Sequence, residues 1–125
     1  MRQSSSNSIK NNRHKAFIAQ SGLCYYCKQP MWEKDHSSFI SQYKLSPSNA
    51  QNLQCTAEHL IARKDGGSNS KSNIVAACKF CNCTRHKSKK PLNPENYKVH
   101  VQKRIKNKQW HQLVLIQLGS NNTFT

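Results

Sequence analysis

The sequence predicts a small α+β fold, and three observations point to it. Two CxxC pairs, Cys24–Cys27 and Cys78–Cys81, stand fifty residues apart. Between them, two short stretches with strand character, 53–60 and 74–77, bracket the turn-rich run Lys-Asp-Gly-Gly-Ser-Asn-Ser-Lys-Ser-Asn at 64–73. Basic segments with helical character flank this middle on both sides. Leu, Ile, Val and Phe together make up only 23 of the 125 residues. Less than about a fifth, with a high net charge, is the composition of a chain that cannot close an apolar core unaided. A staple is therefore expected, and two CxxC pairs supply the ligands for one.

In chain order, residues 1–8 are Ser- and Asn-rich and read as a disordered tail. A basic helix is expected over 9–20, with Ile9, Ala16, Phe17 and Ala19 as its apolar residues and Gly22 at the C′ position that ends it. Residues 28–52 read as an insertion anchored by Met31, Trp32, Phe39, Ile40, Tyr43 and Leu45, with one short helix near 37–44. In the first strand, Leu53, Cys55 and Ala57 share one face by alternation. A basic helix is expected over 82–89, stopped before Pro91. Another starts at Pro94 with Asn93 as its cap, and Tyr97, Val101 and Ile105 form a stripe along it. Trp110, Leu113, Val114 and Leu118 suggest a last short helix or an apolar tail. One domain is expected over 9–118, with a core at 22–90, a C-terminal helical extension over 91–118 and a loose tail at 119–125.

Two thiolates two residues apart can reach one ion, and four close a tetrahedron with no open position, the pattern of structural zinc. Cys24, Cys27, Cys78 and Cys81 are the expected ligands. Cys55 reads as a core thiol and Cys83 as a bystander, with an exchange of either into the ligand set left open.

Glu58-His59, Gly66-Gly67, Asn73 and the run from Cys78 to Asn82, followed by Arg85-His86, complete an ordered pattern: CxxC, acidic-His, Gly-Gly, Asn, CxxC-Asn. This pattern resembles the HNH endonucleases, the ββα-metal nucleases, over about residues 24–90. It departs from them where His often follows the second knuckle, since Asn82 stands there, as in the Asn-containing subgroup. The resemblance implies a zinc-stapled ββα-metal module with flanking helices, hydrolysing phosphodiester bonds in DNA. It implies His59 as the general base, Glu58 and Asn82 as ligands of a divalent metal, and Asn73 either orienting His59 or pinning the long loop. His86 is a further candidate ligand, because it lies four residues after Asn82 and shares its helix face. Oxygen donors suit Mg²⁺ or Mn²⁺, and a His ligand also admits Ni²⁺ or Zn²⁺.

Twenty Lys and Arg against five Asp and Glu give a net charge of +15, too many cations to neutralise internally. A polyanion is the natural partner. Arg13, Lys15, Arg63, Lys64, Lys79, Arg85, Lys87, Lys89 and Lys90 are the candidates for phosphate contact. Such contacts position a backbone and read no bases. RNA in place of DNA, and a catalytically silent zinc module that only holds nucleic acid, are the competing readings. No stretch approaches 18 consecutive apolar residues, so no membrane partner is expected. The N-terminal Met-Arg-Gln-Ser-Ser-Ser lacks an apolar segment behind it, and the expected location is the cytoplasm.

Overall fold

A computed structural model describes residues 3–116. Helix α1 spans Gln3–Ala19, followed by α2 (His36–Tyr43), α3 (Pro47–Asn52), strand β1 (Cys55–His59), strand β2 (Ile74–Cys78), α4 (Lys79–Arg85) and α5 (Pro94–Lys106). The two strands pair antiparallel, with Cys55 opposite Cys78 and His59 opposite Ile74. The α+β class expected from the sequence is the one observed.

Several boundaries differ from expectation. Residues 3–8, read as a tail, belong to α1. Serine and asparagine are indifferent helix formers, but the stretch holds no Gly or Pro to stop the helix. At the other end Ser21 takes the left-handed C′ position (φ 56°) and Gly22 follows it, one place later than expected. Gly22 N–H donates to Phe17 O and Ser21 N–H to Ile18 O, the paired bonds of a Schellman motif. The insertion carries two helices, not one. α3 begins with Ser46 accepting from Asn49 N–H and Pro47 in the first turn. The helix after the second knuckle is earlier and shorter than 82–89, because Cys78 itself is its N-cap. α5 starts as expected, with Asn93 Oδ1 accepting from Asn96 N–H at 2.8 Å. Residues 110–116 form no helix and run as an irregular strap with Gln112 in a left-handed conformation, and residues 117–125 lie outside the described part.

The core is small and sulfur-rich. Leu53, Ala50, Met31, Phe39, Tyr26, Tyr97 and Val101 pack around five buried cysteines. Val101 and Leu53 are fully buried, each contributing about 1.5–3 kcal/mol. Tyr97 and Val101 are buried and Ile105 half-buried, the expected α5 stripe. Side-chain amides extend the sheet where apolar surface is lacking. Gln20, just past α1, donates to Ala76 O and accepts from Ala76 N–H, so the helix end serves as an edge for β2. Buried Gln29 does the same for the strap, accepting from the N–H groups of Leu115 and Ile116.

Candidate active site

The four knuckle cysteines converge. The sulfurs of Cys24, Cys27, Cys78 and Cys81 lie within 4.8 Å of one another and all four residues are buried. Cys27 and Cys78 sulfurs are 3.9 Å apart. That is far beyond a disulfide, and close to the roughly 3.8 Å edge of a sulfur tetrahedron built on 2.3 Å bonds to zinc. Backbone N–H groups of Tyr26, Cys27 and Cys78 donate to Cys24 Sγ, and Cys81 N–H donates to Cys78 Sγ. Donors aimed at sulfur stabilise thiolates, the form a cation requires. Burial works against ionising Cys24, yet the thiols of Cys27, Cys78 and Cys81 hold its pKa well below the ordinary value. The donor set fits a zinc ion. Cys55 is buried apart from this group, its thiol pushed up to about 12 by burial, and Cys83 is exposed, so the expected four are the ones assembled.

A second set of side chains meets where β1 faces α4. Glu58 is 1% exposed, and both its oxygens are engaged. Oε2 accepts from Tyr26 Oη at 2.7 Å and from Arg85 Nη1 at 2.8 Å, while Oε1 lies 2.9 Å from His86 Nε2. Burial first, and then the Glu58 charge, push the Tyr26 pKa upward, so it remains a neutral donor. Asn82 Nδ2 donates to Thr56 Oγ1 and to Ala57 O, which leaves its Oδ1 as the atom available to a cation. Asn82 and Arg85 share a face of α4 by their three-residue spacing, His86 follows as the helix C-cap, and all three lie toward β1. His59 follows Glu58 on the strand, turns the other way, and sets its Nε2 2.8 Å from Asn69 Oδ1. Glu58, His59, Asn82 and His86 all line one open groove of about 360 Å³, with Arg63 and Lys64 on its rim.

The long loop between the strands is pinned at its base. Asn73 Oδ1 accepts from Ile61 N–H, and its Nδ2 donates to Ile61 O and Ser68 O. The Asn73 side chain thus bonds loop backbone at Ile61 and Ser68, and the side chain beside His59 is Asn69. The two glycines are required here. Gly66 has φ 91°, and a Cβ on Gly67 would fall 1.7 Å from Ile61 O.

Arg85 corrects another expectation. Its charge predicts a phosphate-facing position, but its side chain is 5% exposed, pairs with Glu58 and donates from Nε to Leu92 O. Lys87, Lys89, Lys90, Arg63, Lys64 and Lys15 are exposed, while Lys79 is half-buried. Arg13 pairs with Glu33 at 3.4 Å. Sequence reasoning missed Tyr26, Asn69 and Trp110, whose Nε1 donates to Cys81 Sγ at 3.4 Å. Tyr26 sits inside the first CxxC pair, a position where a buried donor was legible. Asn69 lies in a polar turn with nothing to distinguish it.

No described helix is long and apolar enough to cross a membrane. A family model described as HNH endonuclease matches residues 24–88, just over half of the chain and the whole span from the first knuckle to the groove. No curated protein and no solved structure gives a match.

Proposed function

The chain belongs to the HNH endonuclease family, and on that premise we propose that it is a metal-dependent nuclease hydrolysing phosphodiester bonds in DNA, with structural zinc in the four-cysteine site. One observation carries the reading: Glu58 Oε1 and His86 Nε2 face each other at 2.9 Å in the groove that also receives Asn82 and His59. Tyr26 and Arg85 hold the other Glu58 oxygen, so Oε1 is the one presented. A carboxylate oxygen, a carboxamide oxygen and an imidazole nitrogen suit Mn²⁺ or Mg²⁺, and also Ni²⁺ or Zn²⁺. A divalent cation held by Glu58, Asn82 and His86 would supply Lewis-acid neutralisation of charge on the phosphate and the departing 3′ oxygen.

This chain's own residues do the rest. Arg63 and Lys64 draw the phosphate backbone to the groove rim. The His59 imidazole takes a proton from the water that attacks phosphorus, as a positioned general base. Glu58 itself is a poor base for that step, since Tyr26 and Arg85 already engage Oε2 and Oε1 would be on the cation.

The test is cleavage of supercoiled plasmid, and of RNA in parallel, by purified protein with Mg²⁺, Mn²⁺ or Ni²⁺. Cleavage should require added metal and stop in chelator. His59→Ala should slow it about 10²- to 10⁴-fold with DNA binding and the fold retained. A variant cutting at the wild-type rate overturns the role of His59. Binding without any cleavage favours the silent zinc module, and cleavage of RNA alone moves the substrate class.

A further inference from the structure

One nitrogen of the His59 ring is already engaged. Its Nε2 lies 2.8 Å from Asn69 Oδ1, and an amide oxygen only accepts hydrogen bonds. The hydrogen between them therefore sits on Nε2, and a neutral imidazole protonated there carries its lone pair on Nδ1. We propose that Asn69 is a positioning residue of the nuclease site: by accepting from Nε2–H it fixes the tautomer and plane of His59, and makes Nδ1 the atom that takes the proton of the attacking water. The proposal rests on the assignment of His59 as the base.

Asn69 is itself held in place from both sides. Asn12 Nδ2 on α1 donates to Asn69 O at 2.8 Å, so the N-terminal helix clips the loop at this residue. Asn73 Nδ2 grips Ser68 O at 2.8 Å, the neighbouring peptide, and Gly67 is pressed against the Ile61 carbonyl. Asn73 thus serves the base at one remove: it pins the loop, the loop presents Asn69, and Asn69 orients the ring. In the step itself, the water O–H bond breaks toward Nδ1 as the water oxygen bonds phosphorus. The bond from phosphorus to the 3′ oxygen breaks, and that oxygen takes a proton from solvent. Throughout, Nε2–H stays on its amide partner, so the imidazolium formed keeps both hydrogens directed.

The experiment pairs two-bond ¹H–¹⁵N spectra of the full chain, zinc-replete and ¹⁵N-labelled at histidine, with cleavage rates of the same samples. Spectra are taken at alkaline pH, where imidazole is neutral, and His59 is identified against His59→Gln. The wild type should show the Nε2–H tautomer alone. Asn69→Ala should show the mixture of a solvated ring and cut about 10- to 100-fold more slowly, the scale of lost outer-shell partners, with melting and DNA binding unchanged. Asn69→Asp keeps an accepting oxygen and should restore the single tautomer and most of the rate. Nδ1–H in the wild type, or wild-type cleavage by Asn69→Ala, overturns the proposal. Wild-type protein that holds the tautomer but cuts no nucleic acid overturns the nuclease reading and this role with it, while leaving the hydrogen bond standing.

Discussion

Glu58 is where the site and the interior meet. A carboxylate buried to 1% exposure is costly to desolvate, and three partners on two separate segments, the first knuckle and α4 with its C-cap, offset that cost. Arg85 matters most, because it alone brings a permanent opposite charge into the same buried space. Arg85→Ala leaves a carboxylate buried without its counter-charge and should lower stability by about 3–5 kcal/mol, read from urea unfolding. A loss below about 1 kcal/mol, the scale of exposed pairs, would mean that the pair is solvent-screened. The inward turn of Arg85 was partly legible: it follows Cys81 by four and Asn82 by three, both inward positions on α4. Its charge argued for the surface, and the partner that decides otherwise lies 27 residues away in the chain. Asn69 was not legible, since its role depends on a loop path set by Asn73 and Gly67.

At the scale of elements, capping chemistry governs what could be read. The Asn93-Pro94 signal places α5 correctly, and Ser46-Pro47 carries the same signal for α3, masked by the polar segment around it. α5 braces the back of the sulfur cluster: Tyr97 Oη donates to Cys81 O at 2.8 Å and Gln102 Nε2 to Tyr26 O at 2.7 Å. Asn93→Ala removes the bond to Asn96 N–H and should cost about 1 kcal/mol, seen as a lower urea midpoint at unchanged slope. Plasmid cleavage in native buffer should be unaffected, because α5 contributes no side chain to the groove. The strand face was legible only in part. Leu53 and Cys55 are buried as alternation requires, but the buried residue near the end of β1 is Glu58, where the pattern predicts Ala57. An acidic residue enters an interior only when its donors are already there, and those donors come from the first knuckle and α4.

For the molecule as a whole, the thin apolar composition and the sulfur cluster explain one another. Structural zinc in small modules contributes about 10–16 kcal/mol of apparent binding free energy, comparable with or above the whole stability of a typical small domain. Stripping the metal with a strong chelator should therefore unfold the chain, with loss of near-ultraviolet dichroism at Tyr26, Tyr97 and Trp110; a chain that keeps those signals has a self-sufficient core. Cys78 gives this arrangement a further consequence. It ends β2, caps α4 and lends its sulfur to the cluster, so no linker separates the floor of the groove from the helix that carries Asn82 and leads into His86. The span from His59 to Asn82 and His86 is thus bridged by paired strands, a direct strand-to-helix junction and four clustered sulfurs. Such a frame lets the hydrophobic interior drift in evolution without displacing the side chains that line the groove.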